Sequence, residues 1–163
     1  MQKLSTLLIV CTLAASMTSC SLAGRNTVST APKPKTNTIG FNKPVTTRYR
    51  VSQQFKPKSN PKHKGIDIAG KKGSPIFSVK SGRVIYQGQK FSGYGKMIMV
   101  KHANGITTLY SHLNKIFVKA GQIVTDGQLL GTMGRTGRAT GVHLHFEIMQ
   151  NMEPVDPSKY IKF

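Results

Sequence analysis

The sequence predicts an all-β domain, a compact antiparallel sandwich or barrel, and three observations lead there. Short runs rich in β-branched and aromatic residues alternate with glycine-containing turns, the pattern of many short strands. Helical periodicity is hard to find, and there are no heptads and no internal repeats. The third observation is local: "HANGI" sets Asn104-Gly105 between two strand-like runs, and Asn-Gly is a favoured pair for a two-residue type I′ hairpin turn.

In chain order, the first residues stand apart from this pattern. "MQKLSTLLIVCTLAASMTSC" has Lys3, an apolar stretch from Leu7 to Ala15, then small and polar residues ending in Cys20. Residues 1–19 read as an export signal, with an apolar stretch too short to remain as a spanning helix. "MTSC", just before Ser21, resembles a bacterial lipobox, with Met17 where leucine is usual. It makes Cys20 the lipidated residue and ties the chain to a membrane. No aspartate follows Cys20 to signal inner-membrane retention, so the outer membrane is the expected destination in a cell that has two. Residues 20–44 are polar and basic and read as a flexible linker that cannot bury enough surface to fold alone. The folded domain is expected over 45–163, beginning near "VTTRYRVSQQF". Its strands come from "PIFSV", "GRVIYQG", "KMIMVKH", "ITTLYSHL", "GQIVTDGQLLG" and "HLHFEIM".

Composition narrows the chemistry. The only cysteines are Cys11, inside the signal, and Cys20, so the domain has no disulfide, no thiol nucleophile and no cysteine metal site. Twenty-four Lys and Arg stand against five Asp and Glu. From His63 onward there are fourteen basic and five acidic residues, a net of +9. Such a chain is attracted to polyanions. Export sets nucleic acid aside and leaves anionic lipid and acidic wall polymers, or plain solvation of a tether. "GRTGRATG" fits neither nucleotide-binding glycine motif and reads as a tight loop before His143.

In "GVHLHFEI" two of the five histidines stand one residue apart. Strand side chains alternate, so His143 and His145 face one way while Leu144, Phe146 and Ile148 face the other. Their Cβ atoms then lie roughly 6–7 Å apart. Taken alone, the pair also describes two polar residues on a solvated strand face. "HKGIDIAG" offers partners in His63 and Asp67. In a straight strand these would be about 13 Å apart, too far to share an ion with bonds of roughly 2 Å. A bend at Gly65 would bring them together, and glycine permits one; alone, H-x-x-x-D also arises by chance. Joined with one of His143 and His145, they supply two neutral nitrogens and a carboxylate, the three-ligand set of a catalytic zinc.

These motifs, with "LYSHL" between them, resemble the M23 family of zinc endopeptidases, the lysostaphin or LytM type. The resemblance runs from about Tyr49 to Tyr160 and includes "GSPIFSVKSGRV", "GYG" at 93–95, "GQIV" and "PVDPSKYI". It implies the lysostaphin-like (duplicated hybrid motif) antiparallel fold with a substrate groove, Zn2+ held by His63, Asp67 and His145, and catalytic roles for His112 and His143. The implied reaction is hydrolysis of peptide cross-links in bacterial peptidoglycan, with the stem peptides as substrate. His143 is then expected to accept the proton of water, and His112 to donate a hydrogen bond to the developing oxyanion. Tyr110 shares the face of His112 on a continuous strand, which puts it in the groove or packed at its rim. Glu147 shares the face of His143 and His145 and reads as a supporting group, not a fourth ligand. His102 ends a strand with no chemical partner in sight and reads as structural or exposed. Two departures remove no ligand: "ATGV" replaces the usual Ser-Thr-Gly-Pro before His143, and Phe55-Lys56 replaces the usual Phe-Gly.

The resemblance also carries a rival. Some lipoproteins of this fold, the NlpD type, have lost zinc ligands and activate a separate murein amidase. "GIDIAG", "GRVIYQG" and "GYGKMIMVKH" resemble that branch, yet all five site residues are present here. A third possibility is a module that docks on glycan through its basic surface.

Overall fold

The longest strand runs from His143 to Gln150, and the rest of the domain is built on its two flanks. The computed structural model describes residues 40–163; the expected signal over 1–19, Cys20 and the linker up to residue 39 lie outside the described residues. Eleven strands follow in chain order: β1 Arg50–Gln53, β2 Ile66–Ala69, β3 Pro75–Phe77, β4 Gly82–Gly88, β5 Met97–Lys101 and β6 Ile106–Ser111. Then come β7 Leu113–Ile116, β8 Ile123–Val124, β9 Leu129–Met133, β10 His143–Gln150 and β11 Glu153–Val155, with a 3₁₀ turn over Pro157–Lys159. No α-helix occurs among the described residues, and every strand pairing is antiparallel. The expected all-β antiparallel fold is what forms.

The strands make two sheets. The larger has the order β1-β2-β10-β6-β5-β4-β8 with β11 also on β10, and the smaller is β3-β9-β7. A bridge between Gly134 and His143 ties the end of β10 to the segment after β9. The core contains one face of the large sheet and residues of the small one. Ile66, Ile68, Leu144, Phe146, Ile148, Ile98 and Val100 meet Ile76, Leu130, Met133 and Leu113 there, all buried. Burying each such side chain is worth about 1.5–3 kcal/mol, which fixes the register of β10 and leaves its odd residues facing outward. That outward face carries His143, His145, Glu147 and Met149 in turn. A second buried cluster, Met97, Leu109 and Met149, continues it away from the histidines.

The Asn104-Gly105 turn forms as expected. Both residues have positive φ, 57° and 72°, and the Ile106 N–H donates to the Ala103 carbonyl at 3.2 Å, the geometry of a type I′ turn.

Two differences from the sequence reading matter. The strand "ITTLYSHL" is not continuous: β6 ends at Ser111, His112 takes φ of 60°, and β7 enters the other sheet. Alternation therefore does not carry through His112. Tyr110 faces the core, fully buried, and neither lines the groove nor packs at its rim. Packing also reaches back before Val45. Phe41 meets Tyr160 edge-on at 5.6 Å, the Asn42 N–H donates to Val79, and the Phe77 N–H donates to Pro44.

Candidate metal centre and catalytic site

Cross-strand register supplies the first pair. On β2 and β10, Asp67 and His145 are directly opposed, the arrangement in which strand side chains stand closest. His63 comes from the loop before β2. That loop is closed by the Lys56 N–H on the His63 carbonyl (3.0 Å) and the His63 N–H on Asn60 (3.1 Å). The chain bends at Gly65, bringing His63 over Asp67. Here glycine is required by space. A Cβ on Gly65 would stand 2.3 Å from the Phe146 carbonyl oxygen on β10.

Three donor atoms converge. His63 Nε2 lies 3.1 Å from Asp67 Oδ1 and 3.1 Å from His145 Nδ1, and His145 Nδ1 lies 2.7 Å from Asp67 Oδ1. Ligand atoms held tetrahedrally about 2.0–2.1 Å from an ion stand roughly 3.3 Å from one another, so the spacing is that of a ligand set drawn slightly inward. His143 Nε2, at 3.8 Å from Asp67 Oδ1, is outside the trio.

The outer nitrogens decide what the inner ones can do. His63 Nδ1 donates to the Gln54 carbonyl at 2.7 Å. His145 Nε2 donates to the Glu147 carboxylate at 2.9 Å. A carbonyl or carboxylate can only accept, so each outer nitrogen carries the proton. In the neutral imidazole the inner nitrogen is then a bare lone pair. With both imidazoles neutral, as an ion would require, His63 Nε2, His145 Nδ1 and Asp67 Oδ1 are three acceptors facing one point with no hydrogen among them. A cation satisfies all three at once, and two nitrogens with a carboxylate are zinc's usual donors.

The titration behaviour agrees. Burial pulls the His145 imidazole down, but its bonds to the Asp67 and Glu147 carboxylates outweigh that and raise it to about 9. Burial pushes Asp67 up, and the imidazoles of His145, His63 and His143 hold it below its ordinary value. Both shifts mark a place that favours positive charge, whether a proton or a metal ion. Glu147 is buried and accepts a second bond, from the Tyr94 hydroxyl at 2.8 Å. Burial and that carboxylate push Tyr94 well above the ordinary phenol range, so it remains a donor. The chain Tyr94–Glu147–His145 orients the ligand ring from outside, as carboxylates behind metal-bound imidazoles do.

Beside the trio stand two more imidazoles. The rings of His112 and His143 lie 4.7 Å apart at 61°. His112 Nδ1 donates to the Thr136 carbonyl at 2.7 Å and His143 Nδ1 to the Gly141 carbonyl at 3.0 Å. Both therefore present a bare Nε2. Burial pulls His112 down to about 4 despite its bond to Thr136, so it is neutral at pH 7. The donor role expected for His112 is not available to this form, whose only N–H is spent on Thr136; neutral His112 is an acceptor. Its positive φ is uncommon for a non-glycine residue and costs energy. That backbone is held by the His112 N–H on Tyr94 and the Leu113 N–H on Lys96, each at 3.0 Å.

All five expected residues line one open cleft of about 400 Å³. Sequence reasoning missed Tyr94, although "GYG" was there to be read: Gly93 and Gly95 both have positive φ, 88° and 62°, and turn the tyrosine inward. It also missed the cleft's cationic walls, Lys62, Lys64 and Arg138. His102 is elsewhere, buried on the core side.

Residues 61–157 match the model of peptidase family M23. The DD-carboxypeptidase/endopeptidase Mpg of Neisseria meningitidis is 40% identical over 124 residues, covering 72% of this chain and 28% of that protein. The murein hydrolase activator NlpD of Escherichia coli K12 is 41% identical over 99 residues, 61% of this chain and 26% of that one. The chain thus spans under a third of either relative. A zinc-containing peptidase from Vibrio cholerae superposes with a TM-score of 0.66 at 36% identity, over 72% of this chain and 39% of that one.

Proposed function

The chain belongs to peptidase family M23, and on that premise we propose that it is a zinc-dependent endopeptidase hydrolysing the peptide cross-links of bacterial peptidoglycan. We read it as exported through residues 1–19 and lipid-anchored at Cys20, facing the wall. One observation carries the enzymatic reading: three donor atoms converge on one point beside two further imidazoles that line the same cleft.

His63 Nε2, Asp67 Oδ1 and His145 Nδ1 would hold the ion. When bound, zinc supplies Lewis-acid chemistry, polarising the scissile carbonyl and acidifying the attacking water. His143, with Nδ1 held on the Gly141 carbonyl and Nε2 left toward the cleft, takes up the proton of that water. His112 begins as an acceptor, so it donates to an oxyanion or to the leaving amine only after it has itself gained a proton. Tyr94 and Glu147 keep His145 in the tautomer that exposes Nδ1.

The likeness to a murein hydrolase activator favours a second reading, in which the domain stimulates a separate amidase. The intact five-residue site argues for the enzyme. Digestion of purified wall sacculi by the zinc-loaded protein with no amidase present separates the two. Cross-linked dimers falling to monomers support the peptidase. No cleavage, together with stimulation of an added amidase, replaces it with the activator.

A further inference from the structure

The acids of the cleft are both spent. Asp67 has three imidazole nitrogens within 3.8 Å, and Glu147 is 2% exposed and bonded to Tyr94 and His145. The cations of the cleft are not. Lys62 and Lys64 flank His63 in the chain, and Arg138 lines the same cleft, all exposed. Among the described residues no lysine or arginine forms an ion pair with a carboxylate; every such pair involves histidine.

Arg138 is also held in place. Its N–H donates to the Gly93 carbonyl at 2.9 Å. Its guanidinium lies over Gly93, with Nε 3.4 Å and a terminal nitrogen 3.5 Å from where a β-carbon would stand. Gly93 adjoins Tyr94, whose hydroxyl reaches the Glu147–His145 pair. The Arg138 backbone is thereby anchored to the same loop that orients a metal ligand, with the guanidinium lying beside it, and a planar fork of this kind suits a carboxylate bidentately.

Resting on the peptidase reading above, we propose that the cleft selects peptides bearing a free carboxylate within a residue or two of the scissile bond. Arg138 is the principal specificity-determining group, and Lys62 and Lys64 add attraction from elsewhere on the cleft lining. A neutral peptide of the same sequence gains nothing from these cations, and a basic one is repelled.

The test uses purified cross-linked muropeptide dimers, as isolated and after carbodiimide coupling to ammonia, which turns every free carboxylate into a primary amide. Wild type should favour the free-carboxylate form by about tenfold in kcat/KM, the gain from a charge-assisted bond at a solvent-exposed site. Arg138→Gln should bring the two rates within about threefold, and Arg138→Lys should restore part of the gap. Equal rates on both forms by wild type, or a preference that Arg138→Gln keeps, overturns the proposal. Binding of both forms to zinc-loaded His143→Ala is measured in parallel. If nothing is cleaved but the carboxylate form binds tighter through Arg138, the peptidase reading falls and the selectivity stands; equal binding removes the selectivity.

Discussion

Two histidine networks share the large sheet and differ in one respect. On the outer face, toward the Ser111 end of β6, the inner nitrogens of His63 and His145 meet only Asp67 and each other. On the core face, toward the hairpin end, His102 is closed on both sides. Its Nδ1 donates to the Ser81 carbonyl at 2.9 Å, and its Nε2 meets the Thr108 hydroxyl at 2.7 Å. Thr108 Oγ1 lies 3.1 Å from the Tyr110 hydroxyl, which also receives the Val79 N–H at 3.1 Å. Every polar atom of that chain has a partner, so it binds nothing. The proposed metal site is the network whose inner nitrogens have no partner other than one another and Asp67, so a proton there can be exchanged for an ion. Burial alone does not separate them, because His102 and His145 are about equally buried.

The comparison can be broken most severely at the two imidazoles proposed as catalytic. His112→Ala and His143→Ala should each retain zinc and a folded domain yet lose about 10²–10⁴-fold in kcat/KM, the usual worth of acid–base help. Zinc analysis and circular dichroism beside the kinetics check it, and loss of zinc in either variant would move that residue into the ligand set.

Protons and metal compete at the outer network alone. Because His145 is raised to about 9, binding below that pH displaces a proton. Apparent zinc affinity should therefore rise about tenfold per pH unit between pH 7 and 9, then flatten. Chelator competition across that range measures it, and a flat profile would contradict it.

The closed network affects stability and not zinc. His102→Ala removes the partner of the Ser81 carbonyl and one of the two partners of the Thr108 hydroxyl, and should cost about 1–3 kcal/mol in denaturant unfolding, with zinc content unchanged. Burial holds His102 and His112 below their ordinary value, so the unfolded chain takes up more protons below about pH 6.5 and stability falls as pH falls. His102→Ala should remove part of that slope and leave the part due to His112.

The smallest effect is expected at the loop that carries His63. Lys56, where the family usually has glycine, adopts φ of 42°, a conformation that costs an L-residue roughly 1–2 kcal/mol. Lys56→Gly relieves that cost and adds unfolded-chain entropy, for a net gain of up to about 1 kcal/mol by thermal melting.

Much of this was legible in the sequence because short-range physics wrote it there. Alternation along β10 put Leu144, Phe146 and Ile148 inside and His143 and His145 outside. Asn104-Gly105 named its own turn, and Gly65 marked the bend that brings His63 to Asp67. What was not legible depends on contacts remote in sequence. The break at His112 that sends β7 to a second sheet is held by carbonyls of Tyr94 and Lys96, so alternation misplaced Tyr110. The tautomers of His112 and His143 are set by backbone carbonyls that no motif encodes. The partners of His102 lie on two other segments, Ser81 before β4 and Thr108 on β6, and the anchoring of Arg138 on Gly93 joins two loops.

The central claim is that His63, Asp67 and His145 together hold one zinc, and its most direct test is the metal content of purified Asp67→Ala beside wild type. The account predicts one zinc per chain in wild type and none in the variant, with the β-sheet spectrum unchanged. Stoichiometric zinc in folded Asp67→Ala would contradict it.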